Sequence, residues 1–325
     1  MAPKPLSEFP RPPEDNGRGI HWSATVYHPT GRDLQFWLNE LKAMQIKWVK
    51  LLDDSGGSSL EICRALLDNG IMPIVRIYRE YPNPGHLDGR GVDAVRRLID
   101  AGVRYFETNN EPDLPAEWKG GVKPPNWLDI VVDNFIWDAD YILSLGGLPA
   151  FPAMGPGSKD NGIVRVVQRG RRDIFERGAW VAIHNYTLNH PLDYPDDPVN
   201  QHGQPLTPEE YEYYRRWQYS HLSPEEAEKY GVSRDEYFQF QNWAWDGWTM
   251  EMVNRERALK KNPGATVFDD PNCFRGYEVF GQMIYDALGF YVPVISTEAG
   301  PCVDWKPDTR YPRVSPTTHA EWQMA

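Results

Sequence analysis

Short apolar runs alternate with helical repeats along most of this chain. The run Trp48-Val49-Lys50-Leu51-Leu52 is preceded by Leu34, Trp37, Leu38 and Leu41, spaced at i, i+3, i+4 and i+7. The pattern predicts strands over 19–27, 48–52, 71–78, 105–112, 148–154, 179–184 and 291–297. It predicts helices over 34–41, 60–67, 92–99, 128–142, 163–177 and 277–288, with a last one starting at Pro316. His28-Pro29-Thr30-Gly31 reads as a turn after the first strand, and Gly70 falls where a helix C-cap belongs. Strand 71–78 is almost wholly apolar, as a strand covered on both faces must be.

Strict strand–helix alternation implies a parallel sheet, and at 325 residues a (β/α)8 TIM barrel fits better than a doubly wound sheet. The rhythm breaks between about 190 and 270. That segment has no strand pattern, but it carries capped helix starts at Thr207, Ser223 and Ser233 and the residues Trp217, Trp243, Trp245 and Trp248. It is expected to be a helical, Trp-rich insertion after strand six. Residues 1–18 read as a Pro-rich tail and 19–325 as the barrel. Only seven strands are predicted. An open barrel would expose two unpaired edges, so the chain is expected to continue beyond Ala325.

Composition narrows the function. Net charge is −12, with no basic cluster and no Rossmann or P-loop glycine pattern, so a nucleic-acid partner is not expected. No apolar run approaches a membrane span, and the start has no signal-peptide pattern. A soluble protein is expected, with secretion and a cytoplasmic location both left open. Cys63, Cys273 and Cys302 make no disulfide framework. The surplus of 13 Trp and 17 Tyr suits flat, hydroxylated ligands such as sugars. The eight histidines show no metal-ligand spacing, so neither a metal nor another cofactor is expected.

Barrel active sites lie at the C-terminal ends of strands. There, strand four offers Asn110 and Glu111, strand six His184 and Tyr186, and strand seven Glu298. Two carboxylates facing one cavity are what glycoside hydrolysis requires: one protonated to release the leaving oxygen, one ionised to attack. Asn110-Glu111-Pro112, His184-Asn185-Tyr186 and Thr297-Glu298, in this order on these strands, resemble the clan A glycoside hydrolases, which are retaining barrel glycosidases.

The resemblance implies Glu111 as acid/base and Glu298 as nucleophile. It implies Asn110 on a sugar hydroxyl, Tyr186 against the nucleophile and His184 lining the subsite. Many clan members place Arg at the end of strand two. Here Lys50 is the nearest equivalent, while Arg76 lies on strand three, and which of them takes that role, if either, is left open. Glu107 reads as part of a charge network inside the barrel. Trp118 and Trp305 are candidate platforms for an oligosaccharide or polysaccharide substrate. A transglycosidase, a sugar-binding barrel without catalysis and an unrelated barrel enzyme are the alternatives.

Overall fold

The computed structural model describes residues 2–22, 33–221, 225, 228, 245 and 248–324. Seven strands form one sheet in chain order: β1 (Gly19–Trp22), β2 (Trp48–Asp53), β3 (Met72–Ile77), β4 (Tyr105–Glu107), β5 (Leu148–Phe151), β6 (Trp180–Tyr186) and β7 (Val294–Gly300). Neighbours pair in parallel, Trp48 with Met72 and Arg76 with Glu107, for example. Helices α1 (Leu34–Ala43), α2 (Leu60–Asp68), α3 (Gly89–Asp100), α4 (Trp127–Ser144), α5 (Gly162–Gln168) and α6 (Asp173–Arg177) fill the crossovers up to β6.

The sheet curls into a nearly closed TIM barrel. Lys50 on β2 meets Glu107 on β4 and Glu298 on β7 with one ammonium group, and a flat sheet could not bring those strands together. Alternation along each strand sorts the side chains. Val49, Leu51, Val75, Ile77 and Phe106 point outward and pack under α1, α2 and α3. The inward set has two levels. Met72, Ile74, Tyr105, Leu148 and Trp180 pack together around the strand starts. Lys50, Arg76, Glu107, His184 and Glu298 gather toward the strand ends. The lower level is apolar and stabilises the barrel, and the upper level is charged.

Three expectations need correction. Residues 1–18, read as a Pro-rich tail, dock on the barrel. Phe9 is buried in the lower barrel level, Pro10 O accepts from the Tyr105 hydroxyl at 2.7 Å, and Asp15 accepts from the Trp48 indole at 2.8 Å. The apolar Phe9 and these two hydrogen bonds close the N-terminal end of the barrel. Residues 163–177 form two helices, because Gly170, at φ +73°, turns the backbone between α5 and α6. Strand seven begins three residues later than expected and runs to Gly300, so Glu298 lies within it. Part of the predicted first strand and the turn at 28–31 lie outside the described residues, as do the helix starts at Ser223 and Ser233.

The chain divides into two compact units, Met1–His184 with Phe280–Glu298, and Asn185–Val279 with Ala299–Ala325. The second unit contains α7 (Pro198–His202), α8 (Pro208–His221), α9 (Met250–Lys260) and α11 (Pro316–Met324), and α10 (Tyr277–Leu288) begins in it. Thr207 and Glu210 form a true capping box for α8: Thr207 N donates to the Glu210 carboxylate at 2.9 Å, and Glu210 N donates to Thr207 Oγ1 at 3.2 Å. Leu206, Trp245 and Val253 make a small core. No described helix is long and apolar enough to cross a membrane.

Candidate active site

The upper level of the barrel brings Lys50, Arg76, Glu107, His184 and Glu298 into contact. Lys50 is 3% exposed. Its Nζ lies 3.0 Å from Glu298 Oε1 and 3.1 Å from Glu107 Oε2. Burial works to raise the Glu107 pKa, but Lys50, a hydrogen bond from Thr297, His184 and Arg76 together outweigh it and hold the carboxyl below its ordinary value. Arg76 reaches the same Glu298 oxygen at 3.4 Å. Lys50 and Arg76 therefore both serve Glu298, one from β2 and one from β3.

Glu111 sits in a different setting. It follows β4 with φ at +33°, a strained backbone for a residue with a Cβ. Its Oε1 lies 2.7 Å from His184 Nδ1, while His184 Nε2 lies 3.7 Å from Glu298 Oε1. His184 is thus wedged between the two glutamates. One oxygen of Glu111, one ring nitrogen of His184 and one oxygen of Glu298 all lie within 4.8 Å of one another. Among the described residues no Lys or Arg lies within ion-pair distance of Glu111.

Asn110 is held at both ends of its amide. Its Oδ1 accepts from Arg76, and its Nδ2 donates to Glu117 Oε1 at 2.9 Å. Trp118, expected as an open platform, is buried at 2% exposure, and its indole N–H donates to Pro112 O at 2.8 Å. Its ring faces are covered, so it anchors the loop instead. Tyr186 and Trp305 fall in the second unit, where their ring centroids lie 5.3 Å apart with planes tilted by 38°.

No family model and no curated protein matches the chain. It is similar to a monomeric beta-xylosidase from Caulobacter crescentus CB15, with 14% identity and a TM-score of 0.39, over 53% of this chain and 42% of that one. It is also similar to the GH39 enzyme from Xanthomonas axonopodis pv. citri, with 12% identity and a TM-score of 0.38, over 57% and 45% of the two chains. A sugar phosphate isomerase/epimerase from Parabacteroides distasonis ATCC 8503 has 9% identity and a TM-score of 0.36 over 96% of both chains. This chain thus spans less than half the length of the first two. Likeness this distant leaves the reaction to be argued from the site.

Two members of the site had no local signal in the sequence. His21, on β1, lies 3.8 Å from Glu298 Oε1. Burial and then Lys50 push its pKa down to about 4, so at neutral pH it presents an uncharged ring. Glu117 is a further carboxylate at the rim. Burial raises its pKa, and although Asn110 and Arg76 pull the other way, the net direction is up. The Glu111–His184–Glu298 cluster also has the donor set for a divalent cation. A cation there would face Lys50 and Arg76 across the Glu298 carboxylate, and like charges at that range oppose it.

Proposed function

We propose that this protein is a retaining glycoside hydrolase acting on a β-linked saccharide, with Glu111 as acid/base and Glu298 as nucleophile. The observation that carries this reading is the placement of two carboxylates on one rim with oxygens within 4.8 Å. Retaining enzymes hold their pair at about 5–5.5 Å, and inverting enzymes need about 6.5–9.5 Å to admit a water. The division of labour follows from the charges. Glu298 faces two fixed cations, which suits an anion that must attack. Glu111 faces none, which suits a group that must carry a proton.

In the first step Glu111 gives its proton to the glycosidic oxygen as the bond to the anomeric carbon breaks. Glu298 Oε forms the new bond on the opposite face, and the leaving sugar departs as an alcohol. In the second step Glu111 takes a proton from water, whose oxygen displaces Glu298. His184 fixes the Glu111 carboxyl by the 2.7 Å contact. Lys50 and Arg76 carry the charge that returns to Glu298 when the intermediate breaks down.

Glu111→Ala and Glu298→Ala should each lower turnover of an aryl β-glycoside by about 10³-fold or more. Azide should restore part of the lost rate in one of them by taking the place of the missing group. Product released with net retention at the anomeric carbon, read by proton NMR, completes the test. Near-normal turnover in either variant, or inversion, sinks the reading.

The Glu–His–Glu cluster supports a second reading, a sugar isomerase or epimerase that binds a divalent cation on Glu111, His184 and Glu298. Dialysis against EDTA separates the two. A glycosidase keeps its rate, whereas the second reading requires loss of activity and its return on adding Mn²⁺ or Mg²⁺.

A further inference from the structure

Beside the two glutamates, on the β3 and β4 side of the rim, lies a cavity of about 90 Å³. Arg76, Tyr78, Arg79, Glu80, Asn110 and Glu117 line it. Its walls are fixed. The Arg79 guanidinium donates to Gly85 O at 3.0 Å, His86 O at 2.7 Å and Thr108 O at 2.7 Å, which ties the loop after β3 to the end of β4. The backbone carrying Glu117 is clamped from both sides. Its carbonyl accepts from Asn83 N at 3.3 Å and from Asn83 Nδ2 at 3.2 Å, and the next residue is the buried Trp118. A carboxylate on a loop held this firmly has a defined position.

The chemistry of the lining is mixed. Glu117 Oε1 is occupied by Asn110, while Oε2 has no partner among the described residues and can accept a hydroxyl proton. Asn110 keeps a second amide proton to donate. Tyr78, at the end of β3, is 45% exposed, and its phenol makes no hydrogen bond among the described residues. Two guanidiniums and two carboxylates leave the wall without net charge. An anionic ligand would meet two carboxylates there, and an apolar ligand would strand the polar groups. A neutral polyhydroxylated ring satisfies donors and acceptors together, with its C–H face available for Tyr78.

We infer that this cavity is a sugar subsite, in which Glu117 accepts a hydroxyl of one saccharide unit and Tyr78 covers its face. The inference rests on the glycosidase reading for its substrate, and it makes Glu117 and Tyr78 determinants of which sugar is taken. Glu117→Gln is the informative variant, because its amide oxygen still accepts from Asn110 while the free acceptor becomes a donor.

The test uses a series of p-nitrophenyl β-glycosides and the monodeoxy analogues of whichever one the wild type hydrolyses best. Glu117→Gln should raise KM at least tenfold, with a smaller change in kcat. It should also shrink the wild type's preference for the parent glycoside over one deoxy analogue. Tyr78→Ala, a change at a half-exposed position, should raise KM several-fold with little change in melting temperature. Binding is read separately, by calorimetric titration of xylotriose and cellotriose into Glu111→Gln, with and without Glu117→Gln. At least one trisaccharide should bind, and Glu117→Gln should weaken it at least tenfold. If the wild type hydrolyses no glycoside, the glycosidase reading has failed and the titrations alone decide the subsite. KM values and affinities within twofold of the parent protein in both variants, or no trisaccharide binding at all, would overturn it.

Discussion

Two polar networks in this protein each combine carboxylates, fixed cations and a histidine, and come out differently. In the second unit Asp308 accepts from Arg310 Nη2 at 2.7 Å, Arg310 Nε at 3.1 Å, the Arg310 backbone N–H at 2.9 Å and lies 3.2 Å from His190 Nε2. Arg310 Nη1 also donates to Asn200 Oδ1 at 2.7 Å and Lys260 O at 2.8 Å, and the Tyr311 hydroxyl donates to Asp197 at 2.9 Å. Burial alone would raise the Asp308 pKa, but His190 and Arg310 hold it well below the carboxylate range. Each charge meets an opposite charge or several dipoles, and the backbone around it is tied down.

In the barrel there are three carboxylates, Glu107, Glu111 and Glu298, and two fixed cations, Lys50 and Arg76, which pair with Glu107 and Glu298. The carboxylate left without a cation is the one on the strained backbone, Glu111. A saturated network fixes architecture, whereas an incomplete one keeps reactivity in reserve. Removing one cation from each network breaks this comparison if it is wrong. Lys50→Met leaves Glu107 and Glu298 without their shared ammonium. It should destabilise the fold by about 3–5 kcal/mol and lower kcat of the folded protein by about 10²-fold or more. Arg310→Met should cost similar stability, because Asp308 is stranded, with kcat per folded molecule within about threefold of wild type. Urea melts and active-site-normalised kinetics read both. Equal effects on kcat from the two variants would remove the distinction.

How far the sequence reveals this depends on the range of each interaction. The strand–helix rhythm is local, so β2, β3, α2 and α4 can be read from periodicity within a few residues of their ends. The site is legible where the strand-end rule converts a linear position into a place on the rim, which is how Glu111, His184 and Glu298 are brought together. His21 and Glu117 carry no such mark: His21 takes its role from a neighbour far along the chain, and Glu117 lies beyond the strand end, on the loop after β4. The separation of His21 from Glu298 is 298 − 21 = 277 residues. Trp118 misleads for a related reason. An aromatic residue on a loop reads as a platform, but whether its faces are open depends on Pro112 and the bridge to Asn83. The docking of residues 1–18 is equally non-local: Phe9, in a proline-rich polar stretch, fills a space lined by Met72, Tyr105, Leu148 and Trp180 at the starts of four strands.

Asp138 on α4 sharpens the comparison from a third side, as a buried carboxylate with no cation in contact among the described residues. It is 2% exposed and accepts the Leu87 N–H at 2.9 Å. Burial outweighs that bond and pushes its pKa up to about 6. The folded state therefore holds a proton on Asp138 that the unfolded chain, with its ordinary value near 3.8, gives up earlier. The sign follows: this stabilisation is full below about pH 3.8 and is lost as pH rises through about 6. Asp138→Asn keeps an acceptor for Leu87 and removes the charge. It should be more stable than wild type by about 1–3 kcal/mol at pH 8, with the gap closing near pH 4. Urea denaturation across that range measures it. A gap that does not change with pH would mean that Asp138 is ionised without cost, and that burial here is compensated as fully as it is at Asp308.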